Sequence, residues 1–242
     1  MSTLETGTIE PQSGTTVTLG TSGDAVVIGA DALKVNTVKD AGANTIFTSD
    51  GSGTLSSVNS GLSGNMVYIN KTTASTTSSI SFTSGIDSTY DEYVFYFVNM
   101  NPVTDAVGFG FQFNASGGSG FNETITSTAF YSLHKEDNTN TGIGYYASAD
   151  QAQGTAYQPL VTGVGNASDE CFSGILHLFA PSSTTYVKHF YALSNEYVFG
   201  DYGVQQVYIA GYVNTTSAID EIDFKFTSGY INEGTIYLYG IK

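Results

Sequence analysis

The chain has 242 residues, 40% of them hydrophobic and 12% charged, with 22 acidic side chains against 7 basic ones and a net charge of −15. All seven basic residues are lysines, so no guanidinium is present for bidentate phosphate contacts and no basic stripe can release counterions from nucleic acid. The same negative field repels anionic lipid, and DNA, RNA and acidic membranes are poor candidates for partners.

Cys171 is the single cysteine, which rules out an intrachain disulfide and a thiolate zinc site. It reads as a small buried hydrophobe rather than a reactive thiol. The start of the chain has no basic stretch leading into an apolar run, so no secretory signal is expected. No run approaches the roughly 20 apolar residues of a membrane helix. Aromatics are plentiful, with 17 Tyr and 15 Phe but no Trp, a mixture that favours pleated half-buried surfaces over helices.

Residues 1–64 hold one aromatic side chain, Phe47. Short apolar steps at 16–19, 25–28, 33–35 and 45–47 alternate with turn signals such as Gly20-Thr21-Ser22-Gly23-Asp24. Strands this short cannot repay their own ordering entropy by burial in isolation. They can do so if copies intertwine, and a homotrimer is expected, or if the segment lies along a larger partner. The region is therefore read as an anchoring arm or β-stalk, with Ile9, Pro11, Val17 and Leu19 as its docking residues, closed by a Gly/Ser linker over 52–64.

From residue 65 onwards the strands lengthen, and 65–242 is read as one domain. Strands are predicted at 66–70, 79–84, 93–98, 107–113, 125–133, 143–147, 175–179, 186–193, 205–213, 222–226 and 236–239. Both parities of 93–98 are apolar, which marks a central strand. Val107, Phe109, Phe111 and Phe113 share one face of a one-sided strand, with Gly108 and Gly110 opposite, where another backbone can approach. Ile222, Phe224 and Phe226 oppose Asp223 and Lys225, a strand with one wet face. No amphipathic helix separates these runs. The expectation is an all-β, antiparallel, jelly-roll-like sandwich, with Phe95, Phe97, Phe111, Leu176, Phe224 and Leu238 buried.

Four blocks carry a resemblance: Ile9 to Asp24, Ser81 to Tyr93, Leu176 to Thr185, and Gly234 to Gly240. Together they resemble virion structural and tail-fibre-like proteins of marine tailed bacteriophages. The resemblance implies a virion component, usually oligomeric, assembled in the host cytoplasm.

His134, His177 and His189 are the obvious catalytic or metal candidates, yet none is spaced as a ligand pair, and no Gly-x-Ser-x-Gly elbow accompanies them. Carboxylates cluster at Asp87, Asp91 and Glu92 and at Asp220, Glu221 and Asp223. Such pairs could hold calcium or cleave a glycan, but acids flanking strands more often solvate an edge. No cofactor is expected. The reading is a non-enzymatic virion protein whose arm docks on other virion proteins and whose sandwich meets a host surface glycan. The alternatives are a head fibre or capsid decoration protein and, from another class, a glycan-active β-sandwich enzyme.

Overall fold

A computed structural model describes residues 35–52, 55–59, 65–200 and 202–242. Among them there is no helix. The chain divides into two compact units, Met1–Leu62 and Ser63–Lys242, beside the compositional break.

The first unit contains an antiparallel meander of β1 (Thr37–Lys39), β2 (Thr45–Ser49) and β3 (Leu55–Val58). The Asp40 carboxylate accepts the Asn44 backbone N–H at 2.8 Å and closes the first turn, where Ala43 takes a positive φ. Where burial is described in this unit, at 35–52, 55 and 58–59, no side chain is fully buried. The expected steps at 16–19 and 25–28 lie outside the described residues. Of 33–35 only Val35 is described, and it precedes β1 rather than forming a strand. The expected linker is interrupted by β3, because Leu55 and Val58 bracket two serines in a segment that pairs with β2.

The second unit contains β4 (Met66–Thr73), β5 (Ile80–Phe82), β6 (Glu92–Pro102), β7 (Val107–Ala115), β8 (Ile125–Lys135), β9 (Thr141–Tyr145), β10 (Gln158–Val164), β11 (Phe172–Phe179), β12 (Lys188–Val198), β13 (Gly203–Val213), β14 (Ile219–Phe226) and β15 (Ile231–Ile241). All pair antiparallel. One sheet begins β4–β15–β6–β11 and the facing sheet runs β5–β14–β7–β10, the strand order of two nested Greek keys in a jelly roll. Two hairpins are inserted into this scheme. β8–β9 falls between β7 and β10, and β12–β13 falls between β11 and β14. Together they continue the first sheet as β11–β12–β13–β8–β9. Eight strands thus face four, and β12 touches both sheets through a Val198–Val164 pairing to β10.

The inner faces meet in an aromatic core. Phe224 of β14 lies within ring contact of Phe82, Phe95, Phe97, Phe109 and Phe111, at centroid separations of 5.2–6.4 Å. Phe95, Phe97, Phe111, Leu176, Phe224 and Leu238 are all buried, as their alternation predicts. β6 sits between β15 and β11 with both its faces largely covered, the central position its sequence indicates.

Two strands are more enclosed than their sequences suggest. β7 is buried on both faces, since Gln112 points away from the core yet donates to the carbonyls of Glu123, Thr155 and Ala156 at 2.9–3.1 Å. On that same face a Cβ added to Gly110 would stand 2.6 Å from the Gln158 carbonyl oxygen, so glycine is required for β10 to pair. β14 does not have a wet face at its centre: the Asp223 carboxylate is buried, accepting hydrogen bonds from Ser81 at 2.5 Å and Tyr157 at 2.7 Å. The unpredicted strand β10 starts Gln158-Pro159. Proline is tolerated there because β12 meets β10 only at Val164, which leaves the Pro159 end of β10 paired on one side, to β7.

Candidate functional site

Antiparallel register sets which side chains stand beside one another on the outward face of the eight-stranded sheet. One row runs Tyr237, Tyr96, Ile175, Leu193, Tyr208, Phe130, Tyr145 from β15 to β9. A second runs Tyr68, Tyr239, Val94, His177, Tyr191, Ala210, Thr128. On the other side of the first row lies a polar one: Ser173, Asn195, Gln206, Ser132, then Ile143. A band of rings and branched side chains therefore crosses the sheet, bordered by amides and hydroxyls.

The rings are held in defined attitudes. Phe130 and Tyr208 stack in parallel with centroids 4.5 Å apart. His177 stacks on Tyr191 at 4.3 Å, and its Nδ1 lies 2.5 Å from the Glu92 carboxylate. Tyr145 donates its hydroxyl to Asp150, which pushes the phenol up from its ordinary value. Tyr208 donates to the Gln206 side-chain carbonyl at 2.5 Å, which leaves the Gln206 NH2 directed elsewhere. Tyr145 is 61% exposed, Ile143 74% and Phe130 43%, so this end of the band stands in solvent.

The stacked pair stands between two depressions. The larger, about 810 Å³, is lined by Ser132, His134, Thr141, Ile143, Asn195, Val204 and Gln206. The smaller, about 470 Å³, is lined chiefly by Thr126, Thr128, Phe179, His189, Tyr191 and Tyr212. The larger contains no carboxylate and no lysine. Beneath it the sheet's inner face is polar. The buried Glu196 carboxylate accepts from the Gly163 N–H at 3.1 Å and from the Gln205 side chain at 2.8 Å. Burial outweighs these contacts and pushes its pKa up from 4.5 to about 7.

The three histidines lie on this outer face but do not converge. His134 borders the larger depression with Nε2 3.1 Å from Asn138. His177 contacts Glu92, and His189 borders the smaller depression near Tyr212. The carboxylates are engaged separately. Asp87 is held below its usual range by hydrogen bonds from Thr89 and then from Tyr93. Glu221 accepts from Asn114 at 2.9 Å, and Asp223 is enclosed by Ser81 and Tyr157. Among the described residues, no three His, Cys, Asp or Glu side chains are grouped as metal ligands.

Cys171 is half-buried rather than buried, because it precedes β11 and lines an acidic depression of about 480 Å³ with Asp169, Glu170 and Glu233. Burial pushes its thiol up, away from the thiolate form. The docking residues Ile9, Pro11, Val17 and Leu19 lie outside the described residues. Sequence reasoning missed Asn195, Gln206, Phe130 and Tyr145 as a group. Their strands alternate visibly, but the register that lines four strands up into two adjacent rows is set by tertiary pairing.

No protein-family model matches the chain, and no curated protein or solved structure does.

Proposed function

We propose that the protein is a non-enzymatic structural component of a tailed-bacteriophage particle, fibre-like, docked through its N-terminal unit and displaying the jelly-roll unit for host attachment. The observation that carries this reading is the outer face of the eight-stranded sheet. It is a broad band of rings, amides and hydroxyls with exposed members, and its His177 and His134 are tied into separate local contacts with Glu92 and Asn138. Such a face suits contact with a partner better than turnover.

The N-terminal unit supports the docking half of the reading. Its strands are three to five residues long, and the side chains at 35–52, 55 and 58–59 include none that is fully buried, so association supplies the burial that one copy lacks. The resemblance of four sequence blocks to virion and tail-fibre-like proteins supports the particle assignment. Association of three copies through the N-terminal unit completes the proposal.

Light scattering and particle incorporation test it together. The full chain is expected to have three times the mass of one copy and to join particles. A chain starting at Ser63, which keeps the whole aromatic core, is expected to be a monomer absent from them. Equal incorporation of the truncated chain would overturn the docking role. Release of reducing sugar from host polysaccharide by the purified full chain would overturn the non-enzymatic one.

A further inference from the structure

We infer that the larger outer-face depression is a binding site for a neutral saccharide chain, lying along the polar row with the Phe130–Tyr208 pair on the adjoining row beside it. This inference deepens the attachment reading and takes its biological sense from it.

A depression of about 810 Å³ is within the range of about 300–1,000 Å³ found for small-ligand sites. Its lining includes Asn195, Gln206 and Ser132 on three adjacent strands, which stand about 4.8 Å apart. That spacing offers one polar side chain per strand to a chain of linked sugar rings.

The polar row has hydrogen-bonding capacity to spare. Asn195 and Ser132 make no side-chain hydrogen bond to another described residue. The Gln206 carbonyl is occupied by Tyr208, so its NH2 is a directed donor. An amide with both functions, a donor amide and a hydroxyl match the paired donor and acceptor roles of sugar hydroxyls. An aliphatic or purely aromatic occupant would leave these groups unpaired on burial, at a cost.

Aromatic rings stand on the row next to the polar one. The Phe130 and Tyr208 rings stand parallel, and Tyr145, fixed by Asp150, continues the ridge to the sheet edge. Such rings offer a flat apolar face to the C–H side of a pyranose while the polar row engages its hydroxyls.

Charge selects among occupants. The chain carries −15, yet this depression holds neither carboxylate nor lysine. An anionic glycan would meet the field of the whole molecule with no cation to receive it. A second copy would bring another −15 against the face. A neutral saccharide meets no such opposition.

The test uses the full chain and ligand-observed saturation-transfer NMR with four neutral probes: cellohexaose, maltohexaose, mannohexaose and chitohexaose. Polygalacturonate serves as the anionic comparison. At least one neutral probe is expected to bind and polygalacturonate is not. Asn195→Ala and Phe130→Ala should each weaken binding about tenfold or more, whereas His189→Ala, in the other depression, should leave it unchanged. Gln206→Glu places a charge in the row without removing volume and is expected to weaken binding while the unfolding temperature holds. The inference is overturned if none of the neutral probes binds, if polygalacturonate binds as well, or if the Asn195 and Gln206 variants bind normally. A Phe130→Ser variant that alters the oligomeric mass would assign the face to a second copy and overturn it also. Saccharide binding by a protein absent from particles would sink the particle reading alone. A particle protein whose face ignores all four probes would sink only this one.

Discussion

The jelly-roll strands and the two hairpins that extend one of its sheets meet at β12, and between the sheets the two regions differ in how much polar side chain they add to a shared apolar core. On the jelly-roll side the space between the sheets is filled by phenylalanines around Phe224. On the extension side the inward positions of β12 include Lys188, Ser194 and Glu196, all buried. Lys188 donates to the carbonyls of Tyr186 and Thr215 at 3.1 and 3.2 Å, and burial lowers its pKa. Ser127 donates to Gln158 at 2.6 Å. Apolar burial is large and non-directional, whereas hydrogen bonds are individually modest but specify geometry. Apolar packing continues through Phe190, Val207 and Ile209 of the extension, and its buried hydrogen bonds add a defined register beneath the outer face it presents.

Phe224→Ala is the largest expected break in that division. Five rings lose their common neighbour, and a loss of about 3–5 kcal/mol is expected in denaturant unfolding. A loss under about 1 kcal/mol would mean that the core is not organised around this residue.

Glu196 probes the polar side. Its folded pKa of about 7 exceeds the ordinary 4.5, so between these values the folded form holds a proton that the unfolded form has released. The contribution to stability is therefore fully present below pH 4.5 and is lost as pH rises through about 7. At about 1.4 kcal/mol per pKa unit the gain on acidification is roughly 3 kcal/mol. Urea unfolding across that range should show it, and Glu196→Gln should flatten the profile and stabilise the protein above about pH 8. A wild-type profile that falls on acidification through the same range would contradict the assignment.

Smaller effects sharpen the contrast. Gly110→Ala forces a Cβ against the Gln158 carbonyl and should cost about 1–3 kcal/mol through displaced β7–β10 pairing, read as a lower unfolding midpoint. Phe130→Ala, on the exposed ridge, should change stability by no more than about 0.5 kcal/mol. A larger loss there would make the ridge part of the stabilising core.

Much of this architecture is legible in the sequence because alternation reports local burial. Phe95, Phe97, Phe111 and Phe224 announce their inward faces by period two, and the glycines opposite Phe109 and Phe111 announce a close backbone. What alternation does not report is a second cover. Gln112 and Asp223 read as solvent-facing because their polarity is satisfied by loop and side-chain partners distant in sequence. β10 is hidden by Pro159, whose edge position is a tertiary fact. The candidate site was illegible for a related reason. Asn195, Gln206 and Ser132 are ordinary strand polar residues until register aligns them, and a slip of one residue would turn any of them inward.

Immunogold labelling of intact particles with an antibody raised against the β8–β9 hairpin tests the central claim most directly, because that hairpin carries the exposed Phe130, Ile143 and Tyr145. The account predicts label on the surface of intact particles, reduced by the neutral hexasaccharide that binds the purified protein. Particles that remain unlabelled, while the same antibody recognises the free protein, would contradict it.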